Sequence, residues 1–213
     1  MVSVLHISKN IIQIIHNGID PTISSVSLGR KKTCPIVGIV GRLEKQKGIS
    51  YLIEAIPKIA EKYSNIKLLI AGSGEEETAL KNLAKSLRIS EKIIFLGYVN
   101  DPLSVINQMD VFVLPSVWEG FPYVLLEAMI LKKPIVATDI FGIQEIISNN
   151  KNGILVKPKS PDSIAKAIIE LLTDKKKAKK LGEAAYKKVI KHYTLEGTVS
   201  KIQTLYSHLL ENQ

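Results

Sequence analysis

From Cys34 onward, short runs rich in β-branched residues alternate with longer segments in which apolar residues recur at helical spacing. This alternation is typical of repeated βαβ units, whose parallel strands are joined by helices and buried on both faces. It predicts an α/β fold with a Rossmann-like, doubly wound, mainly parallel six-stranded sheet and a C-terminal helical tail. The predicted strands are Ile36 to Val40, Lys67 to Ala71, Lys92 to Leu96, Val111 to Leu114, Pro134 to Ala137 and Gly153 to Val156.

The segments between these strands have the apolar spacing of amphipathic helices. Their predicted bounds are Gly48 to Lys62, Glu75 to Leu87, Leu103 to Met109, Pro122 to Leu131, Gly142 to Ser148 and Pro161 to Leu172. Two further helices, Lys175 to His192 and Leu195 to Leu210, follow each other with no predicted strand between them. The sheet is therefore expected to be complete before residue 175.

Residues 1–20 do not have the pattern of a sheet's first strand and helix. Val2 to Ile7 and Ile11 to Ile15 are apolar, and the turn-forming sequence Asn17 to Pro21 follows them. We interpret residues 1–20 as a linker or the remnant of a preceding N-terminal domain. Residues 21–213, including the C-terminal helices, are interpreted as one domain.

The composition, 46% hydrophobic and 23% charged, is ordinary for a packed globular protein. Cys34 is the single cysteine and has no partner for an internal disulfide, and no charged and then apolar leader opens the sequence. No apolar run reaches the ~20 residues that a membrane-spanning helix needs. These features predict a cytoplasmic protein.

The formal net charge is +9, and eight lysines lie between Lys175 and Lys191. In this predicted helix, one face is apolar and another is lined by Lys176, Lys180, Lys187 and Lys191. A solvated helix face is the favoured interpretation, and peripheral contact with an anionic membrane is the alternative. Nucleic acid is not expected as a partner, because aromatic residues do not alternate with the lysines.

Parallel sheets of this kind bind ligands at the carboxyl ends of their strands. After the first predicted strand, Arg42 and Lys47 lie in a loop that leads into a helix, and two cations near a helix N-terminus suit a diphosphate. A solvated basic turn is an equal alternative.

After the second strand, Gly72 would let a ligand approach the backbone, although such glycines often serve conformation alone.

The loop after the fourth predicted strand runs from Pro115 into a helix and carries Glu119 and Glu127. Carboxylates accept hydrogen bonds from sugar hydroxyls, and these two flank a predicted helix N-terminus with Pro122 at its first position. The alternative makes Glu119 an acid near the helix cap and Glu127 a surface residue.

In order and spacing, these stretches resemble the C-terminal domain of family 4 (group 1) glycosyltransferases, which are retaining enzymes of the two-domain GT-B fold. The resemblance covers residues ~16 to 210, and the two glutamates with seven residues between them match the family's E-x7-E motif. The matching stretches are His16 to Asp20, Val40 to Leu43 with Lys47-Gly48, Ile70 to Gly74, Phe95 to Val99, Leu114 to Ser116, Glu119 to Pro122 and Glu127 to Met129.

The resemblance implies a function for each matching residue. Arg42 and Lys47 would bind the donor diphosphate and stabilise the departing nucleotide, and Glu119 would contact the transferred sugar; these three are the predicted catalytic residues. Glu127 would bind the ribose hydroxyls of the nucleotide. The other predicted donor-binding residues are Gly41, Gly72, Tyr98, Val99, Gly120, Phe121, Pro122, Tyr123 and Val124.

The resemblance further implies a hexosyltransferase that uses a nucleotide-diphosphate sugar without a metal ion or other cofactor, with polysaccharide assembly as the family's typical role. The acceptor would be held by an N-terminal domain or partner chain that this sequence lacks. A non-catalytic nucleotide-sugar-binding module is the alternative. The sequence departs from the family pattern at Pro122, where many members have glycine, and at Phe141, which replaces the first glycine of a frequent Gly-Gly before Glu145.

Overall fold

A computed structural model describes residues 12–23 and 34–211 of the chain. Residues 1–11 of the predicted linker, and residues 24–33 and 212–213 of the predicted domain, lie outside the described residues. The described part contains a six-stranded, all-parallel sheet in the order β3-β2-β1-β4-β5-β6. The strands are β1 (Ile36–Val40), β2 (Lys67–Ala71), β3 (Ile93–Gly97), β4 (Val111–Leu114), β5 (Ile135–Thr138) and β6 (Ile154–Val156).

Helices connect the strands and complete the chain after the sheet. They are α1 (Ile49–Lys62), α2 (Glu77–Ser86), α3 (Pro102–Gln108), α4 (Tyr123–Ile130), α5 (Phe141–Gln144), α6 (Pro161–Thr173), α7 (Lys175–His192) and α8 (Leu195–Glu211). The predicted fold class is therefore confirmed. The helix predicted over Gly142 to Ser148 is wrong in its bounds, because α5 ends at Gln144 and a turn precedes β6.

The strand order reverses beside β1, because β2 and β4 both pair with it in parallel register. Right-handed crossovers that move in opposite directions from a central strand place their helices on opposite faces of the sheet. Both faces are covered, and the four central strands are almost wholly buried. The loops after β1 and β4 consequently meet at the carboxyl edge, where this fold class binds its ligands.

α7 confirms the predicted amphipathic pattern. Its buried face includes Ala178, Leu181, Ala185 and Val189. Lys176, Lys180, Lys187 and Lys191 are exposed on another face of the same helix. Contact of this face with an anionic membrane stays a prediction. No helix in the described part of the chain is both long and apolar enough to cross a bilayer.

The segment around Ile19, from the predicted linker, packs against the corner between α7 and α8. Ile19 is buried, its N–H donates to the carbonyl of Tyr193 at 2.9 Å, and its own carbonyl accepts from the N–H of Leu195 at 2.9 Å. His16, three residues earlier, places its Nε2 2.7 Å from Oε2 of Glu145. These contacts hold the segment to the carboxyl-edge side of the fold, next to the loops that follow β4 and β5.

Candidate functional site

A cleft of about 340 Å³ opens at the carboxyl edge of the sheet, at the point where the strand order reverses. It collects loops that follow β1, β2, β3 and β4. Eight predicted site residues line it: Gly41, Arg42, Gly72, Tyr98, Val99, Tyr123, Val124 and Glu127. Ser73 and Pro102 also contribute to its wall. The volume is at the lower end of the range for small-ligand sites, ~300–1,000 Å³.

Close packing of two loops forms the floor of this cleft. Gly72 has φ +134°, and a Cβ at this position would lie 1.9 Å from the carbonyl oxygen of Gly41. Any larger residue would therefore push the β1 and β2 loops apart. The Gly72 N–H donates to the carbonyl of Gly97 at 2.7 Å, which ties in the β3 loop as well.

Arg42 reaches the cleft from the exit of β1, and its side chain is 71% exposed. Its Nη1 lies 2.8 Å from Oε1 of Glu44. An ion pair this exposed is worth little, because water and salt screen it. The guanidinium can therefore leave Glu44 for an anionic ligand at small cost.

Lys47 and Glu119 do not line the cleft, but they form a well-shielded ion pair between the loops that follow β1 and β4. Lys47 Nζ lies 2.7 Å from Glu119 Oε1, and the two side chains are only 14% and 6% exposed. The buried Ser116 hydroxyl donates to the same Glu119 oxygen at 2.7 Å, and Thr138 Oγ1 donates to the Ser116 carbonyl at 2.6 Å. Glu119 is thus held by a cation from the loop after β1 and by a hydroxyl of its own loop, and it is not merely an acid near a helix cap.

Glu127 lies inside α4, is partly buried and lines the cleft, so it is not a freely solvated surface residue. Burial of this group raises its pKa above the ordinary value of 4.5. Tyr123, one turn earlier, also has a raised pKa, caused first by burial and then by the charges of Glu127 and Asp20. The cleft is therefore lined by a partly desolvated carboxyl group, for which a hydrogen bond is stronger than it would be in water.

α4 begins at the cleft. Pro122, with φ −73°, is its N-cap residue and not its first helical residue as predicted. Tyr123 and Val124 are in the first turn, whose amides lack carbonyl partners within the helix and favour an anion. The first residues of α1, Ile49 and Ser50, instead line a neighbouring pocket. The α1 N-terminus does not line this cleft, so its binding to a diphosphate stays a prediction, and α4 supplies the helix N-terminus of the cleft.

Gly120, Phe121 and Pro122 lie just outside the cleft wall. The Phe121 ring packs on the ring of His16 at 5.1 Å between centroids and on that of Tyr193 at 5.5 Å. The Tyr193 hydroxyl donates to the carbonyl of Glu145 at 2.8 Å. This aromatic cluster joins the segment before Ile19 to the loop that carries Glu119, a contact that sequence analysis missed. His16 belongs to a matching stretch, but no local pattern indicates that it contacts Glu145 and Phe121.

The structure explains why Phe141 can replace the first glycine of the Gly-Gly pair that is frequent in the family. The Phe141 side chain is 78% exposed, so a large residue fits there. Gly142 is the position with no room, since a Cβ would lie 2.1 Å from the Gly120 carbonyl oxygen and 2.3 Å from that of Glu119. The glycine that supports the Glu119 loop is therefore retained.

The family of proteins described as glycosyl transferases group 1 has a model that matches residues 22–188. An uncharacterised glycosyltransferase of Methanocaldococcus jannaschii is 36% identical over 98% of this chain and 57% of its own length. A UDP-Gal:alpha-D-GlcNAc-diphosphoundecaprenol alpha-1,3-galactosyltransferase of Escherichia coli is 30% identical over the same shares, 98% and 57%. The crystal structure of the C-terminal domain of a glycosyl transferase group 1 family protein from Francisella tularensis superposes with a TM-score of 0.74 and 30% identity, covering 84% of this chain and 100% of that one.

The parallel sheet, with its cleft at the reversal of strand order, has the Rossmann-like fold found in one half of GT-B glycosyltransferases. This chain belongs to the group 1 glycosyl transferases. It spans 57% of the length of the two relatives and matches an isolated C-terminal domain over that domain's full length.

Proposed function

We propose that this chain is the donor-binding half of a retaining glycosyltransferase and that a nucleotide-diphosphate sugar binds in the 340 Å³ cleft. The observation that carries the proposal is the convergence of three groups on one cavity: the Arg42 guanidinium, the first turn of α4 and the half-buried Glu127 carboxyl. A cation and a helix N-terminus suit a diphosphate, and a carboxylate suits a pair of hydroxyls.

In this proposal the nucleotide lies between α4 and the two loops that follow β2 and β3. Glu127 accepts hydrogen bonds from the ribose, and Gly72, Tyr98 and Val99 surround the base. Arg42 and the amides of α4 hold the diphosphate. The E. coli relative's name specifies a UDP-linked sugar, and a uridine nucleotide is therefore the first donor to test.

Lys47 and Glu119 would act at the sugar end of the donor. A diphosphate attracts the Lys47 ammonium, and Glu119 is then available to accept from hydroxyls of the transferred sugar. Positive charge at the leaving phosphate stabilises the departing nucleotide, which is the role a divalent metal plays elsewhere. The proposal assigns that role to Arg42, Lys47 and the α4 N-terminus and requires no metal ion.

Transfer also needs an acceptor, for which we propose a second domain or partner chain facing the carboxyl edge. The alternative is a module that binds a nucleotide sugar without transferring it. Association with a cognate N-terminal domain that restores transfer would distinguish the enzyme half from the binding module.

A thermal-shift panel of UDP-, GDP- and ADP-sugars tests the donor proposal. A ligand at 100 times its dissociation constant stabilises the folded state by ~2.7 kcal/mol, which gives an easily measured rise in melting temperature. We expect one base to stand out and the same ligand to lose its effect with Glu127→Gln. No shift with any of these nucleotides would contradict the proposal.

A further inference from the structure

A second pocket, of about 320 Å³, lies next to the donor cleft. The turn from Glu44 to Gln46 lines this pocket, whereas Arg42, two residues earlier, lines the donor cleft. Its side chains include the aromatic rings of Tyr51 and Trp118. None of the residues predicted to bind the donor lines it.

Trp118 is the single tryptophan of the chain and is 63% exposed. Its backbone is nevertheless fixed, because its carbonyl accepts from Nε2 of Gln46 at 3.1 Å and the N–H of Val117 donates to the Gln46 carbonyl at 2.8 Å. The ring is thus presented to solvent by a held loop. An exposed large aromatic at the edge of a cavity marks a contact surface, since its apolar face gains free energy when covered.

Charges of both signs line this pocket, because Glu44 and Glu76 are negative and Lys45 and Lys159 are positive. Glu44 also pairs with Arg42 of the donor cleft at 2.8 Å. Two carboxylates in the lining oppose the binding of a phosphate or a nucleic acid. Carboxylates accept and ammonium groups donate hydrogen bonds, so the pocket can match hydroxyl groups, which do both.

We propose that the Trp118 pocket binds a neutral saccharide, with the C–H face of one sugar ring on the indole and its hydroxyls on the flanking charged side chains. The volume, about 320 Å³, is at the lower end of the range for small-ligand sites, ~300–1,000 Å³. Trp118 is adjacent in sequence to Glu119, to which the proposed function assigns the transferred sugar. If that function holds, the occupant is a part of the acceptor glycan, which this pocket holds in addition to the second domain; the saccharide site itself does not depend on nucleotide binding.

The indole N–H of Trp118 gives one signal in a 1H–15N spectrum, because the chain has no other tryptophan. The full chain is titrated with maltose, cellobiose and N,N′-diacetylchitobiose, and separately with inorganic phosphate. We expect at least one disaccharide to shift this signal saturably, equally in the wild type and in Glu127→Gln. A shift with phosphate but with none of the disaccharides, or no shift at all, would overturn the proposal.

Variants then locate the bound sugar by saturation-transfer NMR. Trp118→Ala should weaken disaccharide binding at least ten-fold, and Trp118→Phe should recover part of the loss. Tyr206→Ala is the matched control, because Tyr206 is an equally exposed aromatic, 63%, on α8 away from the pocket. Equal binding by Trp118→Ala and Tyr206→Ala would refute the site. If a disaccharide binds while every nucleotide sugar fails to, the saccharide site stands and the proposed donor function fails.

Discussion

Lys47 Nζ and Glu119 Oε1 lie 2.7 Å apart although 72 residues separate them in the chain. One follows β1 and the other follows β4, the two adjacent strands at which the sheet order reverses. The family resemblance implies that Lys47 binds the donor diphosphate and that Glu119 contacts the transferred sugar. Their direct contact means that a ligand which draws Lys47 away also leaves Glu119 without its cation, with the Ser116 hydroxyl still bonded to it.

Arg42 and Lys47 should both contribute to nucleoside-diphosphate affinity. Arg42→Ala and Lys47→Ala should each weaken binding about ten-fold or more, because each removes a charge-assisted hydrogen bond worth ~1.5–3 kcal/mol. Isothermal titration calorimetry with the preferred nucleoside diphosphate measures the loss. Wild-type affinity in both variants would disprove the phosphate assignment.

The same two variants should differ in stability. Lys47→Ala leaves Glu119 buried without its cation, and loss of one partner of a buried pair costs ~3 kcal/mol or more. Arg42 has only a screened partner, so Arg42→Ala should change the free energy of unfolding by less than about 1 kcal/mol. Urea denaturation monitored by circular dichroism compares the two, and equal stabilities would contradict the shielded character of the Lys47–Glu119 pair.

The two glutamates of the E-x7-E motif should separate nucleotide from sugar. Glu127→Gln should weaken the free nucleoside diphosphate and the nucleotide sugar alike, since it removes the ribose contact. Glu119→Gln should weaken only the nucleotide sugar. Calorimetry with both ligands on both variants checks this division, which fails if all four losses are equal.

Glu127 should impose a pH dependence on stability. Its pKa is raised in the folded state, so the unfolded state ionises first as the pH rises through about 4.5. Below that pH the carboxyl is neutral in both states and does not reduce the free energy of unfolding. As the pH rises through the folded-state pKa, the buried group must ionise and the free energy of unfolding falls. Glu127→Gln should therefore be more stable than wild type at pH 7 and equal to it at pH 4 by thermal denaturation. A difference that persists unchanged at pH 4 would point to another cause.

Gly142 should be intolerant of any side chain. Gly142→Ala places a Cβ against the backbone of Gly120 and should destabilise the fold by ~1–3 kcal/mol and weaken nucleotide-sugar binding through the displaced Glu119 loop. Phe141→Ala is the matched control at the exposed neighbouring position and should leave the melting temperature nearly unchanged. Similar melting temperatures for the two variants would show that the Gly120 loop moves away from residue 142 without loss of stability.

Purified alone, this chain should bind a nucleotide sugar but transfer none of it at a useful rate. Transfer requires an acceptor held near the reacting carbon, and such positioning accounts for ~7–11 kcal/mol of a barrier. Release of free nucleotide and transfer to a lipid or glycan acceptor are followed by chromatography, with and without a cognate N-terminal domain. Efficient transfer by the isolated chain that Glu119→Gln abolishes would show that its active site is complete.

Local patterns in the sequence were enough to place the strands. β1, β2 and β4 begin and end at the predicted residues, because a short apolar run between turn residues, in a chain that alternates such runs with helical segments, is typical of a buried parallel strand. The loops at the carboxyl edge could also be found, since the α/β pattern indicates where a ligand binds and the motif residues stand in those loops. Glu127 in the cleft wall and Gly72 beneath it were identified in this way.

Contacts between distant residues were decided only by the tertiary structure. No local pattern indicates that Lys47 pairs with Glu119, that His16 pairs with Glu145, or that α4 and not α1 presents its N-terminus to the cleft. Each of these follows from the strand order and from the direction in which each loop leaves the sheet. Side-chain spacing along one strand or helix reports which face is buried, but the partner across the fold depends on how separate elements pack against one another.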